Sequence, residues 1–160
     1  MKMNFDLVNT NEKRQTVERM ASIIWPITYK DILSSKQIAY MLNKFLSDEA
    51  ISSNIEAGYT YMILKDDKDN QIGFIAYELK SEYIFLSKLY LLPNHQNKHY
   101  ATDVISYLKS FNLPIELTVN KNNKNAYEKY LHLGFKVIDS VVTDIGNSYV
   151  MDDYVMKTEK

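Results

Sequence analysis

The chain has 160 residues, 46% hydrophobic and 24% charged, with a formal net charge of −1 and no cysteine. These values fit one domain over residues 1–160 with a sizeable core. They argue against general attraction to nucleic acid and exclude disulfides, thiolate metal sites and a Cys nucleophile. No apolar run nears membrane-spanning length and none resembles a signal peptide, so no membrane partner and a cytoplasmic location are expected.

Residues 3–9 alternate weakly and predict a first strand. Residues 11–25 predict a helix, from apolar Val17, Met20, Ala21 and Ile24, with Asn11 as cap and Pro26 as stop. Residues 34–47 predict a second helix, with Ile38, Met41, Leu42 and Phe45 on one face and Ser34 or Ser35 as cap. Another turn or two of helix fits residues 48–57, ending at Gly58.

The period then changes to two. Residues 59–65 and 71–79 read as a hairpin, and residues 83–92 as a third strand. That strand is apolar almost throughout, so it belongs at the centre of the sheet, covered on both faces. Residues 100–111 predict a helix, 115–119 a short strand and 123–134 a helix ended by Gly134. Residues 135–142 and 148–156 predict a closing antiparallel pair. The helical crossover between the strands at 83–92 and 115–119 makes those two parallel. The fold class is α/β (α+β), a mixed, mostly antiparallel sheet with helices on both faces.

Charge is unevenly spread. Residues 84–136 hold Lys88, Lys98, Lys109, Lys121, Lys124, Lys129 and Lys136 against Asp103, Glu116 and Glu128. A basic segment in an otherwise acidic chain suggests a local anionic ligand. The turn Gln96-Asn97-Lys98-His99-Tyr100-Ala101 joins a strand to a helix inside that segment. Unpaired N–H groups at a helix start, helped by the macrodipole, bind anions through the backbone. Lys98 adds charge there and Thr102 a hydroxyl.

Two stretches resemble the GCN5-related N-acetyltransferases. "LYLLPNHQNKHYATDVI" resembles their acyl-CoA-binding motif: Leu91, Pro93, Gln96 and Ala101 match, and His99 stands where the family has glycine. "LTVNKNNKNAYEKYLHLGF" resembles their second motif through Val119, Asn123, Ala126, Tyr130, Gly134 and Phe135. "IIWPITYKDILSSKQIAYML" and "DIGNSYVMDDYVM" further resemble a group of small bacterial acetyltransferases of undefined acceptor.

The resemblance implies an acyl-CoA N-acyltransferase fold and acetyl transfer from acetyl-CoA to a primary amine in a ternary complex. It implies cofactor contacts from Leu91, Gln96, Asn97, Lys98, His99, Tyr100, Ala101, Thr102, Asn123, Ala126 and Tyr130. It also implies a bulge that splays the 83–92 strand and frees the Leu91 N–H to polarise the acetyl carbonyl. Tyr130 would protonate the departing thiolate. Tyr127 is the competing phenol, and a core role for either ring is the structural alternative. The missing glycine keeps open a second reading, a degenerate module that binds CoA weakly or not at all.

The acceptor side is less defined. Amine attack requires a base, for which Glu78, Glu82, Asp152 and Asp153 are candidates. Asp152 and Asp153 face opposite sides of their strand, so at most one enters the cleft. Trp25, Tyr29 and Tyr40 are candidate walls, with core packing as the alternative. The acidic remainder suggests a cationic small-molecule or peptide amine, and exposed C-terminal strands allow a homodimer. His95, His99 and Asp103 at i, i+4, i+8 would share a face only on a continuous helix, which Pro93 opposes; no metal is expected.

Overall fold

The computed structural model describes residues 3–96 and 99–159. The elements run β1 (Asn4–Leu7), α1 (Asn11–Tyr29), α2 (Ser35–Leu46), α3 (Asp48–Glu56), β2 (Thr60–Lys65), β3 (Gln71–Leu79) and β4 (Ile84–Leu91). After a short 3-10 turn at Pro93–His95 come α4 (Tyr100–Lys109), β5 (Ile115–Asn120), α5 (Lys124–His132), β6 (Lys136–Gly146) and β7 (Tyr149–Lys157). The strands form one seven-stranded sheet in the order β1-β2-β3-β4-β5-β7-β6. Pairing is antiparallel except between β4 and β5.

Period-two burial divides the sheet side chains between two cores. On one face, Leu86, Leu91, Leu117, Val119 and Met156 pack with Tyr100, Val104 and Leu108 of α4 and against Ala126 and Tyr130 of α5. On the other, Tyr61, Ile63, Phe74 and Ala76 pack with Val17, Ile24, Trp25 and Tyr29 of α1, Ile38 and Met41 of α2 and Ile51 of α3. β4 is therefore central and covered on both faces, as its apolar run predicts.

Two helix boundaries correct the sequence reading. Thr10, not Asn11, caps α1, its hydroxyl accepting from Lys13 N–H at 3.2 Å. Pro26 does not stop α1, which continues to Tyr29. Proline interrupts a helix by losing one N–H and crowding the carbonyl four residues back. Here that carbonyl belongs to Ser22, and Ser22 and Pro26 are both exposed, so water can serve the freed group. Trp25 and Tyr29 beside them are 4% and 9% exposed, and their burial holds the last turn down.

Candidate functional site

The site forms where β4 and β5 part. Their parallel pairing covers only Ile84, Phe85 and Leu86 against Ile115, Glu116 and Leu117. Beyond Leu86 the strands diverge. On the other side of β4 the register jumps, Ala76 facing Lys88 while Tyr77 faces Leu86, which leaves Ser87 as the extra residue of a bulge. A bulge and a splayed strand are thus both present.

Leu92 N–H donates to Ile72 C=O at 2.8 Å on the β3 side. Alternation along the strand turns the N–H and C=O of Leu91, and of Leu89 before it, away from β3 and toward the opening. The Leu91 carbonyl accepts from Gln96 Nε2 at 3.1 Å. Gly73 lies opposite Leu91 in the ladder. A Cβ on Gly73 would stand 2.2 Å from the Tyr90 carbonyl oxygen and 3.0 Å from Leu91 Cα, so this close approach of β3 and β4 requires glycine.

The opening is a cavity of about 610 Å³ that passes through the sheet. On the α4–α5 side it is lined by Leu91, Gln96, Ala101, Asn123, Ala126 and Tyr130, six of the residues read from the motifs. Asn123 caps α5, its side-chain oxygen accepting from Ala126 N–H at 3.4 Å. The cap fixes the first turn, and Ala126 and Tyr130 follow on the same helix face. Tyr127 is not among the cavity residues; its ring packs on Tyr154 at 5.4 Å. Burial, with the Tyr29 phenol nearby, holds the Tyr130 hydroxyl well above its ordinary pKa.

At the mouth, His99 has φ 62 and ψ 12, a left-handed conformation directly before α4. This is the backbone geometry that glycine adopts without strain. Tyr100 and Ala101 are buried and Thr102 is exposed on the first turn of α4. Asn97 and Lys98 lie outside the described residues. Lys129, counted in the sequence only as part of the basic segment, donates from Nζ to the Gln96 carbonyl at 3.4 Å and brings a cation to this turn.

On the α1 face the cavity is lined by Trp25, Tyr29, Lys88, Tyr90 and Asp153. The Tyr29 and Tyr90 hydroxyls are 3.0 Å apart, and the Trp25 ring stands 5.0 Å from Tyr29 and 5.6 Å from Tyr90. Asp153 is 4% exposed and its Oδ1 has no hydrogen-bond partner. Desolvation, reinforced by the Asp152 charge, raises its pKa to about 6. Asp152 pairs instead with Lys121 at 2.8 Å and Glu78 with Lys80 at 3.1 Å, while Glu82 is exposed; none of the three lines the cavity. Tyr40 is also elsewhere, donating to the Ile145 carbonyl at 2.7 Å. Of the candidate walls, Trp25 and Tyr29 reach the cavity and Tyr40 does not.

His95 sits in the 3-10 turn and His99 before α4, so neither shares a helix with Asp103. Among the described residues no group of three side chains suits a metal ion. No helix among them is long and apolar enough to cross a membrane.

Residues 29–151 match a family model described as an acetyltransferase (GNAT) domain. An uncharacterized N-acetyltransferase of Staphylococcus aureus is 34% identical over 85 residues, 53% of this chain and 54% of the relative. The chain thus spans about half the length of the curated relatives it matches. The PaiA N-acetyltransferase of Thermoplasma acidophilum in complex with coenzyme A superposes with a TM-score of 0.77 at 22% identity, covering 100% of both chains. A spermidine N-acetyltransferase chimera from Vibrio cholerae and hSSAT superposes with a TM-score of 0.68 at 16% identity, covering 99% of this chain and 96% of that one. At these identities the superpositions establish the fold.

Proposed function

The chain belongs to the GNAT acetyltransferase family, and on that premise we propose that it transfers an acetyl group from acetyl-CoA to a primary amine by direct attack. The observation that carries this reading is the cavity through the sheet. It has motif residues on the α4–α5 side and a buried, unpartnered carboxylate on the α1 side.

Gln96, Ala101, Asn123 and Ala126 would hold acetyl-CoA, with its pyrophosphate at the α4 N-terminus and beside Lys129. The N–H groups of Leu89 and Leu91 face the opening, where a thioester oxygen would lie. A fixed donor there stabilises negative charge that develops during attack. The amine nitrogen bonds to the thioester carbon, its proton passes to Asp153, and the C–S bond breaks. Tyr130 stays protonated at neutral pH and gives its proton to sulfur as thiolate charge develops. The same burial raises the thiol's own pKa, which assists that transfer.

The alternative of a non-catalytic module rests on the missing glycine. Because His99 already has the left-handed backbone that glycine would supply, its geometry favours the catalytic reading. A thiol-release screen of acetyl-CoA over primary amines tests the proposal. Tyr130→Phe should lower kcat roughly 100-fold with little change in acetyl-CoA affinity. Binding of CoA without turnover of any amine would favour the non-catalytic module.

A further inference from the structure

The acceptor half of the cavity contains two oppositely charged groups that do not satisfy one another. Asp153 projects from β7 on the α1 face, where the same strand contributes Met151 to the core. Its Oδ1 is buried and without a partner. Lys88 projects from β4 onto the same face, its ladder partner Ala76 belonging to the same core. It is half-buried at the bulge and lines the same cavity. Its ammonium donates to Ser87 Oγ at 3.1 Å and lies 5.8 Å above the Tyr61 ring. Among the described residues it forms no ion pair, whereas seven other lysine and arginine contacts to carboxylates lie within 4.0 Å.

A desolvated charge without a counter-ion costs free energy, and a ligand of opposite sign recovers it. Asp153 alone would suit any cationic amine. A polyamine, cationic along its length, would be repelled by Lys88. We infer that the acceptor is zwitterionic: an amino acid or short peptide whose primary amine meets Asp153 and whose carboxylate meets Lys88. Trp25, Tyr29 and Tyr90 form the apolar wall beside these groups. Desolvation alone lowers the Lys88 pKa to about 8, so at neutral pH the side chain is still largely a cation and can hold an anion.

This inference rests on the acetyltransferase reading, and the experiment separates the two. Thermal shift with CoA is measured first, and the absence of any shift overturns the acetyltransferase reading and this inference with it. With CoA binding established, thiol release from acetyl-CoA is followed with free amino acids and dipeptides, with their C-terminal amides, and with spermidine. The free acids should exceed the amides in kcat/KM by ~10-fold, the size of one lost charge-assisted hydrogen bond. The amides have the less basic and more readily deprotonated amine, so this comparison is biased against the expected result. In Lys88→Met the ratio of acid to amide should fall toward one, while Lys88→Arg should keep it above one. Equal rates for acids and amides in the parent enzyme, preference for spermidine, or no transfer to any free acid would each overturn the inference without use of a variant. An acid preference that survives in Lys88→Met would overturn the role given to Lys88.

Discussion

The hydroxyl of Tyr29, at the end of α1, lies 3.0 Å from that of Tyr90 in β4, joining residues 61 positions apart in the chain. Burial raises the pKa of both phenols, so they meet as neutral groups. The contact ties the last helical turn, beyond Pro26, to the strand that borders the cavity. Tyr29→Phe should therefore destabilise the fold by roughly 1–3 kcal/mol, because it leaves a buried hydroxyl unpaired. The double variant Tyr29→Phe/Tyr90→Phe should cost less than the sum of the singles. Denaturant unfolding of the four proteins measures the coupling; additive losses would mean that the pair contributes nothing specific.

Asp153 gives a pH signature. Its pKa is raised from 3.8 to about 6, so it must lose a proton near pH 6 to act as a base. The log of kcat/KM should rise with pH through about 6, and Asp153→Asn should remove that limb together with most activity. The stability effect has the opposite sign. Between pH 4 and 6 the folded state binds more protons than the unfolded chain, so stability falls as pH rises through this window. Asp153→Asn should then be more stable than the parent at pH 7, by roughly 1–3 kcal/mol. Thermal melts of both proteins across pH 4–8 give the comparison, and identical curves would contradict the buried-carboxylate assignment.

His99 tests the turn. A side chain at φ 62 is strained, but glycine brings extra entropy to the unfolded chain, and the two effects nearly cancel. His99→Gly should change stability by less than about 1 kcal/mol and bind CoA at least as tightly as the parent. His99→Val should be worse in both respects, by roughly 1–2 kcal/mol, since a β-branched residue resists this conformation. Calorimetric titration with CoA reads the binding, and equal affinity for the Gly and Val variants would remove the backbone at residue 99 from the account.

Gly73 tests the strand geometry. The methyl of Gly73→Ala would collide with the Tyr90 carbonyl and approach Leu91 Cα, both backbone atoms that cannot swing aside. The strands must separate there, at a cost of roughly 1–3 kcal/mol. Displacement of Leu91 should also lower kcat more than the loss of stability explains. Turnover measured well below the melting temperature distinguishes the two, and a variant with parental kcat would show that this register is not critical.

Sequence pattern alone marks the order of elements and the face of α5 that carries Asn123, Ala126 and Tyr130. Both are local properties, set by hydrophobic period, capping and turn residues within a few positions. It also located the strand–turn–helix at residues 96–102, although Asn97 and Lys98 lie outside the described residues. Its misreading of Pro26 was local too: the penalty for proline was correctly assigned, but exposure of Ser22 and burial of Trp25 and Tyr29 outweighed it. The remaining features follow from how the strands and helices assemble. Strand period allows only one of Asp152 and Asp153 to enter the cleft, but the pairing of β7 with β5 decides that it is Asp153. Packing of Tyr127 on Tyr154 removes it from the cavity in favour of Tyr130. Lys88, Lys129 and Gly73 carry no motif; a bulge, a carbonyl on another element and a neighbouring strand give them their significance. Each of those decisions depends on which distant segments meet, and a pattern read along the chain has no access to that until the sheet is assembled.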